Sequence, residues 1–308
     1  MWHVFNEERK EEMKDFTVAG VQMESHMDRA DAAIKKAVQY LKIVKEEYGA
    51  DLVVYPESVT TGFNPGMPAE EFYKLLDSVP GKMTEAIQEA ARELRVFVLW
   101  PTYEKGKEDG IIYNSACLFN DSGEMIGCYR KTHPFPTERR KGGGWTTPGS
   151  EVVVCDTPWA RVGIIICYDG DFPELSRVNA LQGAEVILRP SAFLRSFEIW
   201  ELTNCARAYD NHVYIVAVNA IGQDKGGSYY YGHSMIVSPI ARKLALARGG
   251  EEIICARLES EPIKYVSYGT HSPMIFDHLE DRNVKVYEGI LKEGRSPFEP
   301  SKRIPYKR

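Results

Sequence analysis

The chain has 308 residues, 44% of them apolar and 27% charged, with a formal net charge of -6. That balance allows a large buried core and argues against a dedicated nucleic-acid binder, because the densest basic run, Arg139-Arg140-Lys141, is short and lacks interleaved aromatics. The N-terminus is too charged for a signal peptide, no segment approaches the roughly 18 apolar residues of a membrane span, and six dispersed cysteines without a CxxC pair suit a reducing compartment, so a cytoplasmic protein with no membrane partner is expected.

Residues 16–22 (FTVAGVQ) read as a strand, and apolar positions Ala33, Ala37, Leu41 and Val44 recur at helical spacing from Arg29 to Glu47. Gly49 ends that helix. A short apolar strand, 51–55, is stopped by Pro56, with Glu57 at its end. A helix over 83–94 precedes a strand over 96–100. Residues 114–119 and 125–130 read as a hairpin around Asn120-Asp121-Ser122-Gly123, with Lys131 closing its second strand. Residues 161–167 form a further apolar strand that ends on Cys167. A helix over 174–182, a strand over 186–188, a helix over 198–210 and a strand over 213–219 follow. A hairpin over 234–253 turns near Pro239.

Strands alternating with helices imply an α/β fold, and the added hairpins favour two mixed sheets packed face to face with helices outside. No Ser/Gly/Pro-rich linker divides the chain, so residues 1–308 read as a single domain. Its core spans about 16–260. The tail, about 261–308, carries five prolines (262, 273, 297, 300 and 305) and many charges, and is expected to lie across the body or a partner subunit.

Glu57, Lys131 and Cys167 each stand just past an apolar strand, and strand ends of α/β folds converge on a ligand-binding rim. Cys167 precedes a polar turn entering a helix, where exposed amides can lower a thiol pKa or receive an oxyanion; the alternative is a buried structural thiol. Glu57 can serve as a general base or as a helix cap. Lys131 can stabilise an anionic intermediate or simply face solvent. His133 and His233 stay open as partners of a Cys–His hydrolase. The seven histidines form no HExxH, there is no GxSxG elbow, and Gly142-Gly143-Gly144 lacks the context of a phosphate loop. No metal is expected.

The segments Val54-Tyr55-Pro56-Glu57-Ser58, Tyr129-Arg130-Lys131-Thr132-His133 and Gly163-Ile164-Ile165-Ile166-Cys167-Tyr168-Asp169, with Phe172-Pro173-Glu174 and Gly183-Ala184-Glu185, resemble the nitrilase superfamily of carbon–nitrogen hydrolases as an ordered set. The resemblance covers roughly residues 16–260. It implies an α-β-β-α sandwich that forms homodimers or larger homo-oligomers. It also implies Glu57, Lys131 and Cys167 as catalytic residues, and a second glutamate that falls on Glu138, beside the unusual run Arg139 to Gly144.

Cys167-Tyr168-Asp169-Gly170 is similar to the aliphatic amidase branch, whereas Arg189-Pro190-Ser191-Ala192 is similar to N-carbamoyl hydrolases. The expected reaction is hydrolysis of a non-peptide amide by water through a cysteine thioester, with no cofactor. The Tyr168 backbone N–H and Lys131 would hold the oxyanion. N-carbamoyl hydrolysis is the alternative, a nitrilase is less favoured, and an inactive binding protein is the reading from a different class. Trp145, Tyr168, Phe193 and Trp200 are candidate pocket walls. Arg195 or Arg207 is a candidate partner for a substrate carboxylate, with a helix salt bridge as the plainer role.

Overall fold

The computed structural model describes residues 12–25, 30–264, 266–267, 273, 275–294 and 296–298. The chain opens with β1 (Phe16–Gln22), α1 (Ala30–Ile43) and β2 (Leu52–Val54), then α2 (Ala69–Leu75), α3 (Lys82–Leu94), β3 (Phe97–Lys105), β4 (Ile112–Phe119) and β5 (Met125–Arg130). The second half runs through β6 (Val153–Asp156), β7 (Arg161–Ile164), α4 (Pro173–Leu181), β8 (Val186–Ser191), α5 (Phe197–Asn211) and β9 (Tyr214–Asn219). A small hairpin, β10 (Ile221–Gln223) and β11 (Tyr229–Tyr231), leads to β12 (Met235–Val237), β13 (Lys243–Leu246) and β14 (Glu252–Leu258).

Two six-stranded sheets result, ordered β14-β1-β2-β3-β4-β5 and β13-β12-β9-β8-β7-β6. Each has a parallel centre flanked by antiparallel strands. The expected α/β architecture of two mixed sheets is therefore present. In β1, side chains alternate as a pleated strand requires: Val18 joins the core between the sheets, while Ala19 and Val21 pack towards Ile34, Ala37 and Leu41 of α1 and Ile87 of α3. Gly20 lies where the sheets approach, since a Cβ there would come within 2.7 Å of Val218. Helices α4 and α5 cover the far face of the second sheet.

Several boundaries differ from the sequence reading for physical reasons. The first helix closes with a wider π turn, Val44–Tyr48, before Gly49 in the left-handed region. The third strand continues through Pro101, because β2 ends at Val54 and leaves no ladder partner for the missing N–H. The strand before Cys167 stops at Ile164, and residues Cys167–Asp171 form a 3-10 turn. The hairpin expected over 234–253 contains only β12 and β13; residues from 252 cross to the other sheet and pair antiparallel with β1. Alternating apolarity marks a strand but not which sheet edge it joins. The first residue of the expected helix over 29–47, and the tail beyond 298, lie outside the described residues. The tail segment that is described touches α4 and α5: Arg177 donates to the His278 carbonyl at 3.3 Å, and the His278 ring sits 4.8 Å from Tyr209.

Candidate active site

Each reactive side chain arrives from the end of a strand. Pro56 stops β2 and delivers Glu57, Lys131 continues from β5 with its N–H still bonded to the Asn114 carbonyl at 2.8 Å, and Cys167 begins the turn after β7. Lys131 Nζ lies 2.7 Å from Glu57 Oε1 and 2.5 Å from Glu138 Oε1, and all three side chains are fully buried. Asn114 Nδ2 donates to Glu57 Oε1 at 2.7 Å, and the Ala192 amide donates to Glu57 Oε2 at 2.8 Å. Glu138 accepts from the Phe135 amide at 2.8 Å and from Thr146 Oγ1 at 3.0 Å. The run Arg139 to Gly144 folds back to make this possible: the Trp145 and Thr146 amides bond the Glu138 carbonyl, and a Cβ at Gly144 would lie 2.3 Å from that carbonyl carbon.

Cys167 is held by its backbone. Its φ of 47° is in the left-handed region, costly for a residue with a Cβ. Arg189 Nε and Nη2 grip the Cys167 carbonyl at 2.9 and 2.7 Å, while Nη1 donates to Thr203 and Asn204. Gly170 permits this grip, since a Cβ there would stand 2.1 Å from the guanidinium carbon. Buried Asp169 ties the turn to the Lys131 loop by accepting from the Ile166 amide, the His133 amide and Tyr129 Oη, at 2.9, 2.9 and 2.8 Å. Tyr168 occupies the first turn of the 3-10 segment, where N–H groups have no preceding helical acceptor.

A family model described as carbon-nitrogen hydrolase matches residues 17–267. The chain belongs to the carbon–nitrogen hydrolase family. Among curated relatives, a formamidase of Bacillus cereus is 36% identical over 282 residues, covering 90% of this chain and 82% of the relative. Among solved structures, a carbon-nitrogen hydrolase from Helicobacter pylori superposes with a TM-score of 0.76 at 25% identity, covering 90% of this chain and 99% of its own. Nit3 of Saccharomyces cerevisiae, a member of branch 10 of the nitrilase superfamily, has a TM-score of 0.72 at 28% identity, covering 81% and 92%. The chain is thus classed with the carbon–nitrogen hydrolase enzymes of the nitrilase superfamily.

The electrostatics of this carbon–nitrogen hydrolase site follow from burial against charge pairing. Desolvation pushes the Glu57 carboxyl up, and the Glu138 charge adds to that, against Lys131 and the Asn114 hydrogen bond. Burial would lower Lys131, but the two carboxylates outweigh it and hold the ammonium well above its ordinary value. Burial raises the Cys167 thiol, and nearby Glu57 raises it further, despite Lys131 and Arg189. Desolvation brings Arg189 down to about 10, so it stays charged at neutral pH. For Asp169, burial acts upwards, but hydrogen bonding and charge from His133 dominate and hold the carboxyl below its ordinary range.

Around Cys167 a cavity of about 10 Å³ is lined by Phe63, Phe135, Ala192, Phe193, Leu194 and Arg195. A second of similar size, which shares Phe63 and Ala192 with the first, touches Glu57 and is lined in part by Ser25, Gln223, Asp224 and Tyr230. Of the sequence candidates, Phe193 and Arg195 thus lie against the nucleophile. Arg195 is engaged by both oxygens of Asp171, at 2.5 and 3.0 Å. Trp145 packs behind Phe63, with ring centroids 5.9 Å apart, and Trp200 packs behind Phe193 at 5.1 Å. Arg207 bonds the Gly170 carbonyl and pairs with Asp210 one helical turn away. His133 faces Asp169 and stacks on Phe172, and His233 faces the Tyr231 carbonyl. Sequence reading missed Asn114, Thr146 and the structural use of Arg189. Asn114 and Arg189 are signalled only by polarity inside the apolar strands β4 and β8, and Thr146, in the loop between β5 and β6, has no such signal.

Proposed function

We propose that the chain hydrolyses a short, uncharged aliphatic amide to the carboxylic acid and ammonia through a thioester on Cys167, with residues 1–308 acting as one catalytic unit. One observation carries this reading: the cavity at Cys167 is water-sized and walled by Phe63, Phe135, Phe193 and Leu194. The cation on its rim, Arg195, is already neutralised by Asp171. A substrate carboxylate, as in an N-carbamoyl amino acid, would have to displace that bidentate pair. The similarity to a formamidase, whose name denotes the smallest amide, supports the same size class.

In the proposed reaction Glu57 takes the thiol proton as Cys167 attacks the carbonyl carbon. A thiol raised by burial needs such a base, and a carboxyl raised by burial is suited to the task. Lys131 Nζ and the Tyr168 N–H stabilise the oxyanion, each lowering the barrier by about 3 kcal/mol. Protonated Glu57 then passes its proton to the departing nitrogen, and the thioester forms as ammonia leaves. Water enters, Glu57 removes its proton, and collapse of the second tetrahedral intermediate returns the thiol. Glu138 keeps Lys131 charged and aimed, at 2.5 Å. Thiol, carboxylate and ammonium supply every proton and charge in this sequence.

Ammonia release should be measured in parallel on formamide, acetamide, propionamide, bulkier amides, N-carbamoylglycine and acetonitrile. The reading predicts highest kcat/KM among the smallest amides, falling as the acyl chain lengthens. Preferential turnover of N-carbamoylglycine or acetonitrile would overturn it. We also place the protein in the cytoplasm as a homo-oligomer: Leu181, Ile290 and Leu291 line one surface groove and are 51%, 56% and 83% exposed, an apolar surface suited to a second copy.

A further inference from the structure

Two thiols outside the site are arranged for chemistry that the hydrolase reaction does not use. Cys117 on β4 and Cys128 on β5 are direct partners in the antiparallel ladder, and their Sγ atoms lie 3.1 Å apart. The bond from the Lys131 N–H to the Asn114 carbonyl makes 114/131 a hydrogen-bonded pair. Alternation along the ladder then puts 117/128 at a non-hydrogen-bonded position, where facing side chains are closest and Cα atoms are about 4.5 Å apart. That spacing falls within the range a disulfide can bridge. Cys117 is fully buried, whereas Cys128 is half-buried and so the more accessible of the two. β5 is an edge strand bonded only to β4 within its sheet, so it can shift to bring the sulfurs together.

We propose that Cys117 and Cys128 form a dithiol site that low-molecular-weight disulfides oxidise, and that closing it slows the hydrolase. The Cys128 thiolate attacks one sulfur of the small disulfide, breaking its S–S bond and expelling one small thiolate. Cys117 then gives up its proton and attacks Cys128 Sγ, expelling the second. Two electrons pass from the protein pair to the reagent; one protein S–S bond and two small thiols are the products. Closing the sulfurs from 3.1 Å to bond length (about 2.05 Å) draws Cys128 inward by roughly 1 Å. Lys131 is three residues further along the chain, just past the end of β5, held between two carboxylates at 2.7 and 2.5 Å. A displacement of that size near reacting groups can cost on the order of 100-fold in rate.

The test uses the full chain in buffers of reduced and oxidised glutathione, followed by alkylation, digestion and peptide mass analysis. The expected result is a Cys117–Cys128 linked peptide, removed by dithiothreitol, with ammonia release falling at least about tenfold and recovering on reduction. Cys128→Ser should keep its activity in the same oxidising buffer, with Cys117→Ala as the second variant should the first misfold. Recovery of both residues as free thiols, linkage of Cys128 to Cys155 instead, a disulfide without change in turnover, or equal loss in Cys128→Ser would each overturn the proposal. The activity measurement rests on the amide-hydrolase reading, but the peptide measurement does not. If the reduced protein turns over no amide, the substrate reading has failed, and the linked peptide alone decides the dithiol.

Discussion

The two sheets share one plan, yet they hold their reactive groups in opposite ways. The first sheet and its loops, helped by the Ala192 amide just past the end of β8, fix Glu57, Lys131 and Glu138 through their side-chain atoms, in a buried network with Asn114, Thr146 and the Phe135 amide. The second sheet fixes Cys167 through its backbone, with Arg189 on its carbonyl and Asp169 on the preceding amide, while the Ala192 amide reaches the sulfur and favours its thiolate. Charges removed from water must be matched or they neutralise. A nucleophile must keep its attacking atom open to the substrate, so most of its positioning has to be set elsewhere. A left-handed cysteine costing about 1–3 kcal/mol is a consequence of that division.

Breaking the first arrangement should have the largest effect. Lys131→Met leaves Glu57 and Glu138 buried without their shared cation. Ammonia release should fall about 1000-fold or more, and urea unfolding should show a loss of about 3–5 kcal/mol. A variant with normal stability would mean that the two carboxylates do not depend on Lys131.

Loosening the second arrangement should be milder. Arg189→Lys loses the bidentate grip on the Cys167 carbonyl, and kcat should drop roughly 10- to 100-fold with KM nearly unchanged. A change confined to KM would place Arg189 in substrate binding instead.

The finest distinction concerns pH. Glu57 acts as a base only when ionised, and its carboxyl is raised by burial and by Glu138. Activity should therefore disappear as pH falls, along an acid limb above the ordinary Glu value of about 4.3. Glu138→Gln removes the second negative charge, so the limb in kcat/KM should move to lower pH. An unmoved limb would show that another group sets it.

This contrast explains what was readable in the sequence. Glu57, Lys131 and Cys167 are visible because each ends an apolar run, and that local pattern positions them in the fold. Glu138 was reached only by resemblance, because its place depends on a loop that closes through Gly144 against its own backbone. Asn114 donates to Glu57 across 57 positions and the Ala192 amide across 135, separations at which no local pattern operates. For the same reason β14 looked like part of a hairpin: its apolar alternation is satisfied on either sheet edge. The helix α2 buries little beyond Phe72, leaving too short an amphipathic signal to read.

The central claim is that a backbone-positioned Cys167 carries the acyl group. Rapid quenching of the protein during turnover of propionamide, followed by peptide mass analysis, tests it directly. The account predicts a propionyl adduct on the peptide containing Cys167, convertible to propionohydroxamate by hydroxylamine and absent from Cys167→Ala. Turnover with no adduct and no hydroxamate, or turnover retained in Cys167→Ala, would contradict it.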